Sequence, residues 1–327
     1  MARNKWKRML LDHIIELLLL LIIIALWAAK PSFMTLQNWL NIFKSVALKG
    51  VIACGMTMVI ISGQIDLSIG SVVAISGVVT SYICDILPRA TGMGLTAACI
   101  IGIIAAALLA IAIGVFHGFA QQKFGMPSFI VTLSTQLFLY GLAGIICNGF
   151  PITNKLPGWF NLIGTGRLGV VPVPAIILII VFLICLFFMN YTHIGRSIYA
   201  VGGNQEAARL SGINVTRTKI FCFAATALLA TLGGFMNSAQ VLSASFSFGK
   251  GWETDVISSV VIGGTSMTGG IGKIRGTLLG IVFLGVIING MTLLDVSVYM
   301  QYIIRGVLLF SSVLLSIFLP KLKQKLL

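Results

Sequence analysis

The stretch VPVPAIILIIVFLICLFFM, residues 171–189, carries no charged side chain. As an α-helix it extends about 28 Å, close to the thickness of a bilayer's hydrocarbon core. A second run, IIELLLLLIIIALWAA at 14–29, has the same character with one carboxylate, Glu16. Similar runs recur, so that about ten spans are expected. They lie near 14–29, 46–62, 66–84, 93–119, 127–147, 171–190, 220–240, 254–271, 276–292 and 297–319. Composition agrees: of 327 residues, 58% are hydrophobic and 9% charged, where a soluble domain carries roughly a quarter charged. So little charge cannot cover a water-facing surface, and lipid takes that place. The alternation of a membrane β-barrel is absent. The fold class is all-α, a polytopic membrane protein with one transmembrane domain over residues 1–327.

A net charge of +14 would point to nucleic acid in a soluble protein. Here the basic residues fall between the apolar runs and no nucleic-acid partner is expected. Counted by side, one face collects Arg3, Lys5, Lys7, Arg8, Lys123, Arg196, Arg209, Arg217, Lys219, Lys273, Arg275, Lys321, Lys323 and Lys325. The other and its margins collect Lys30, Lys44, Lys49, Arg89, Lys155, Arg167 and Lys250, with Arg305 inside the last span and within reach of Asp295 or Asp255. The positive-inside rule makes the first face cytoplasmic, with both termini inside. The basic N-terminus ahead of an apolar run has the outline of a signal peptide, but no small-x-small cleavage site follows cleanly and the run reads as a retained span. Arg8, Asp12 and Glu16 share a helix face, where Arg8 and Asp12 can pair. The six cysteines show no metal or redox spacing and read as small core hydrophobes.

The most informative segment is GRSIYAVGGNQEAARLSGINV, residues 195–215, within a cytoplasmic loop of about 191–219. It contains a small helix with its own start and stop. Asn204 is placed to cap the N-terminus, Glu206 suits the positive end of the helix dipole, and Gly212 suits the terminating position. Ala207, Ala208 and Arg209 favour helix between them. So short an element is not stable alone and reads as docked on something else. Elsewhere, Gly114 with Gly118 and Gly276 with Gly280 form GxxxG spacings that let helices approach closely. Gln64–Gly77 (QIDLSIGSVVAISG) and Glu253–Gly264 (ETDVISSVVIGG) share an Asp at the third position and a following Ser-Val-Val, an internal repeat of the kind common in transporters.

Asp66, set between Ile65 and Leu67, is costly in hydrocarbon and should face a cavity, a helix end or the interface. One reading places it with Gln64 and Ser68 at a gate between spans two and three. In the other it caps span three, and the two are compatible. Gln136 with Ser134, Asn237, Gln240, Asn289 and Gln301 are further polar groups inside spans. Each suits either a hydrophilic path or an interhelical hydrogen bond. The run GGIGKIRG at 269–276 fails as a phosphate-binding loop, because Met267 and Ile274 stand where Gly and Ser or Thr are required. The three histidines assemble no metal or nucleophile constellation, so a membrane-embedded enzyme is disfavoured.

Three stretches together, 195–215, GMTMVIISGQIDLSIGS at 55–71 and DVISSVVIGGTSMTGGIGKIRGTLLG at 255–280, resemble permeases of the ribose, galactose and xylose class of bacterial ABC importers, relatives of the branched-chain amino-acid permeases. The resemblance implies a multi-pass subunit of the bacterial inner membrane, not itself an enzyme and binding no cofactor. ATP and magnesium would be used by a partner ABC ATPase, and a periplasmic or lipid-anchored sugar-binding protein would deliver a monosaccharide. A second copy of the chain would complete a homodimer embedded in lipid. By the same analogy Gly203, Asn204, Glu206, Ala207, Ala208, Arg209 and Gly212 would form the ATPase-coupling element. Gln64, Asp66, Ser68, Gln136 and Asn289 are the candidate pathway or gate. A nucleoside or a furanose-derived signal molecule is the alternative substrate. The rival mechanism is an ion-coupled secondary carrier, for which few intramembrane carboxylates are available.

Overall fold

A computed structural model describes residues 13–325, with side chains as far as Phe318. It is helical almost throughout. The helices are α1 (Ile14–Ala29), α2 (Leu36–Ile61), α3 (Ile69–Thr91), α4 (Leu95–Phe124), α5 (Ser128–Ile146), α6 (Gly158–Thr165), α7 (Val173–Tyr191), α8 (His193–Gly203), α9 (Gln205–Leu210), α10 (Val215–Val241), α11 (Trp252–Ile262), α12 (Ile274–Leu293) and α13 (Val298–Lys325). Four two-residue strands, β1 (Ile152–Thr153), β2 (Arg167–Leu168), β3 (Val171–Pro172) and β4 (Ser243–Ala244), pair as β1 with β4 and β2 with β3. Eight helices among the described residues are long and apolar enough to cross a membrane. The pairing of Arg8 with Asp12 lies outside the described residues; Glu16 approaches His13 instead, at 3.5 Å.

Two expected spans differ in extent. Helix α2 begins ten residues before the expected start, capped where the Thr35 hydroxyl accepts from the Asn38 N–H at 3.4 Å. Its first fourteen residues include Asn38, Asn41, Lys44 and Lys49, which mask a span in any hydropathy reading. The run expected at 254–271 is helical only to Ile262. Gly263 and Gly264 end it, Gly264 at φ +86°, and the chain loops to α12. Eleven residues reach about 16 Å, roughly half a bilayer.

Helix α2 forms the centre, with 83% of its apolar window buried, whereas only 6% of that of α13 is covered. Around α2 the packing is duplicated. α2 lies against α10; α4 packs on α10 as α12 packs on α2; α3 contacts α4 and α5 as α11 contacts α12 and α13. In both halves a long helix (α2, α10) is followed by a non-helical segment (62–68, 242–251) and then a helix starting within the bundle (α3, α11). The chain enters these segments from opposite ends, at Ile61 near α8 and at β4 near β1. The two sequence motifs therefore occupy equivalent positions in an inverted arrangement. The GxxxG spacings serve close approach: Gly114 and Gly118 of α4 meet the backbone of Ala224 and Ile220 in α10, and Gly276 and Gly280 meet the carbonyls of Gly263 and Ser259.

Lys49, expected near the outer margin, lies mid-way along α2 with its Nζ 2.5 Å from Asp255 Oδ2 of α11. The same oxygen sits 3.4 Å from Arg305 Nη1 of α13. One buried carboxylate thus joins three elements between two cations. The six cysteines are buried thiols.

Removing Asp255's charge strands two cations inside the bundle. Asp255→Asn is expected to lower stability by about 3–5 kcal/mol, and Lys49→Met by less, because Arg305 still neutralises the carboxylate. Thermal denaturation of the purified variants checks the order, and equal loss in both would contradict the shared-carboxylate picture.

Candidate functional site

The loop element forms as its residues dictate. Helix α8 starts at Thr192, whose hydroxyl accepts from Gly195 N–H at 3.1 Å, and ends at Asn204. There Asn204 caps the next helix, its Oδ1 accepting from Ala207 N–H at 3.0 Å. The predicted helix at Asn204–Gly212 condenses to the six residues Gln205–Leu210. Gly212 follows at φ +83°, while Ile213 N–H donates to Ala208 O at 3.0 Å, closing the helix as a left-handed terminator does. Glu206 and Arg209 pair on the outer face at 2.6 Å. Ala208 alone of α9 is buried, against Val201 and Val215, and Lys219 Nζ donates to Gln205 Oε1 at 2.8 Å. Glu206, Ala207, Arg209 and Leu210 face outward, the leucine 81% exposed.

Helix α8 is seated firmly on the body. A Cβ on Gly202 would overlap the carbonyl oxygen of Ile61, whereas one on Gly203 would meet nothing. That Ile61 carbonyl also accepts from Gly270 N–H at 2.8 Å, and Tyr199 Oη donates to Gly272 O at 2.9 Å. Burial pushes the Tyr199 phenol up, so it stays protonated and a donor. Thus α8 wedges where the end of α2 meets the loop leading from α11 to α12. The first of these leads into the 62–68 break, and the second leaves the helix that begins after the 242–251 break.

The first break runs along α5. Ile65 N–H donates to Ser128 Oγ at 3.3 Å and Leu67 N–H to Thr132 Oγ1 at 3.1 Å. Gln136 follows four residues on, beside Tyr140 and Glu253. The hydroxyl of Tyr140 and the carboxylate of Glu253 close on Gly70, where a Cβ would meet both and the Gly249 carbonyl. Ser128, Thr132, Gln136 and Tyr140, spaced by four, make one polar stripe facing the break. Ser134 points away, exposed.

Asp66 is fully buried and precedes α3, whose N-cap residue is Ser68. It is therefore not the cap itself. Its Oδ1 accepts from Ser68 N–H at 2.9 Å and from Ser68 Oγ at 2.6 Å, while Oδ2 lies 3.9 Å from His117 Nδ1. Neither His117 nitrogen nor Asp66 Oδ2 has a hydrogen-bond partner among the described residues. Gln64 accepts from Gln121 at the end of α4. The structure thus gathers Gln64, Asp66 and Ser68 along the first break, with Gln136 one turn beyond Thr132 on α5, beside Tyr140 and Glu253. Asn289 stands apart in a reciprocal amide pair with Asn38, at 3.0 and 2.9 Å. Tyr140, Glu253 and His117 join the site without having been singled out. The four-residue spacing along α5 is the signal that finds Tyr140. Among the described residues, no group of His, Cys, Asp or Glu is placed to hold a metal ion.

A family model described as branched-chain amino acid transport system / permease component matches residues 38–313. The chain is similar to the ribose import permease protein RbsC of Escherichia coli (strain K12), 40% identical over 306 residues, which cover 91% of this chain and 92% of the relative. RbsC of Bacillus subtilis (strain 168) is 36% identical over 319 residues, 96% of each chain. The L-arabinose transport system permease protein AraH of Escherichia coli (strain K12) is 34% identical over 294 residues, 90% of this chain and 87% of the relative. No solved structure matches the chain.

The contrast between adjacent glycines is testable. Gly202→Ala should cost about 1–3 kcal/mol, as overpacking does, and open the 192–214 segment to protease, whereas Gly203→Ala should leave melting temperature and cleavage unchanged.

Proposed function

Because this chain belongs to the family of branched-chain amino acid transport system permease components, we propose that it moves a monosaccharide through the bacterial inner membrane as the transport subunit of an ABC importer. Ribose is the leading substrate. The observation that carries this is near full-length identity of 40% to a ribose import permease. AraH, named for another pentose, supports the sugar class and leaves room for pentoses other than ribose. A transport subunit of this kind is not an enzyme; a partner ATPase hydrolyses ATP, and a substrate-binding protein delivers the sugar. Two copies of the chain would enclose the pathway.

The coupling role falls to α9. It is fixed to the body through Ala208 and Gln205 and offers Glu206, Arg209 and exposed Leu210 outward. Such a face suits a groove on the ATPase, with the Glu206–Arg209 pair setting register and Leu210 as an apolar anchor. Movement of α9 passes to α8. Through Gly202 it reaches the Ile61 carbonyl at the mouth of the first break and the 263–273 loop that follows α11. Alternating access then consists of shifting α3 and α11 relative to α5 and α13, with the polar stripe on α5 offering hydrogen bonds to sugar hydroxyls. A full switch requires differential binding of roughly 5.5 kcal/mol, which ATP and the delivery protein supply.

Glu206→Lys or Arg209→Glu should lower uptake and sugar-stimulated ATPase activity together by at least about tenfold, since like charges facing each other across an interface cost several kcal/mol. Wild-type uptake in Glu206→Lys would remove α9 from the coupling role. For the pathway, Tyr140→Phe and Glu253→Gln should cut uptake by about tenfold, the scale of one hydrogen bond to a charged or bound group, while ATPase binding is retained. Unaltered uptake in both variants would take that cluster off the route.

A further inference from the structure

A cavity of about 560 Å³ opens where α7 ends, between α8 and the start of α12. Its wall carries three cations, Arg196, Lys273 and Arg275, together with Asn190, Tyr199 and the apolar Leu186. None of the three cations has an ion-pair partner among the described residues, although ion pairs are made freely elsewhere. Among the described residues no carboxylate pairs with them. Of the chain's eight acidic residues, Glu206 is held by Arg209 and Glu16 by His13. Asp66, Asp85, Glu253, Asp255 and Asp295 lie in the bundle or toward its far end, and Asp12 is outside the described residues. Three like charges around one concavity repel each other unless an anion from outside enters.

The depth of the cavity identifies that anion. Phe187 and Tyr191 pair at 5.5 Å on the outer face of the last turn of α7, 63% and 71% exposed. An aromatic pair at the end of a span marks the level of the lipid headgroups. Charge balance puts this end on the cytoplasmic side, where anionic lipids gather. Leu186 gives the wall an apolar flank for the first methylenes of an acyl chain. The first turn of α12 adds N–H groups without a side-chain cap, since Lys273 caps with none. We propose that this cavity binds the phosphate of an anionic phospholipid, one per chain, through Arg196, Lys273 and Arg275. Because Tyr199 and Gly272 line the cavity and also bond to each other, a seated headgroup also braces α8 against the loop. The inference is independent of which solute is carried.

The test is native mass spectrometry of the full-length protein released from detergent containing equal phosphatidylglycerol and phosphatidylcholine. One phosphatidylglycerol should be retained per chain in preference to phosphatidylcholine. Arg196→Gln, Lys273→Gln and Arg275→Gln should each weaken retention about fivefold, the contribution of one basic residue near a lipid surface. Arg167→Gln, at the opposite end, should not. A melting temperature matching the unaltered protein qualifies each variant, and Arg196→Lys serves as a charge-keeping control that should retain lipid. Equal retention of both lipids, or undiminished phosphatidylglycerol in all three folded variants, overturns the proposal. So does displacement of the lipid by millimolar inorganic phosphate, which would make this a site for a soluble anion.

Discussion

The backbone between Ile61 and Ile69 leaves the helical ladder within the bundle, and its amide groups must find partners that a helix would have supplied. In hydrocarbon each unpaired group costs several kcal/mol, so an open segment survives only where protein supplies partners. Helix α5 supplies them, with hydroxyls at Ser128 and Thr132 set one turn apart to meet Ile65 and Leu67. Asp66 covers Ser68 N–H in the same way. The break, the start of α3 and the position of α5 therefore depend on one another. A helix that begins within the bundle can shift with less loss than one whose hydrogen-bond ladder runs through the whole membrane.

The second break is held differently. Helix α11 is tied by charge, Asp255 lying between Lys49 of α2 and Arg305 of α13. The first break is knit by hydroxyls of α5 and the Asp66 carboxylate, whereas the helix that follows the second is held by an ionic cluster, although their packing neighbours correspond. The end of α2 and the loop after α11 meet at one small contact, where Gly202 lies on the Ile61 carbonyl and Gly270 bonds to it. A helix pressing on α8 thus acts on both halves of the repeat through a single peptide group.

What could be read from the sequence was what local chemistry decides. Asn204, Glu206, Arg209 and Gly212 specify a cap, a dipole partner and a terminator within nine residues, and the helix forms as they specify. The all-α polytopic class follows in the same way from apolar runs and sparse charge. The span limits were harder where tertiary partners neutralise polar residues. Lys49 reads as interfacial until Asp255, 206 residues later, is brought beside it. Asn289 likewise finds its amide partner, Asn38, only when the fold brings together residues 251 positions apart. Tyr140 and Glu253 converge only in three dimensions, and no window along the chain contains both.

The sequestered thiols carry a practical consequence. All six cysteines are shut away from water in the core, while Leu210 stands out from the body with most of its side chain free. A single cysteine introduced there would be the accessible handle for maleimide probes or bifunctional reagents, against a native background that is chemically quiet. Crosslinking at that position, in whole cells and without first stripping the endogenous sulfur, would report directly on what sits against the outward tip.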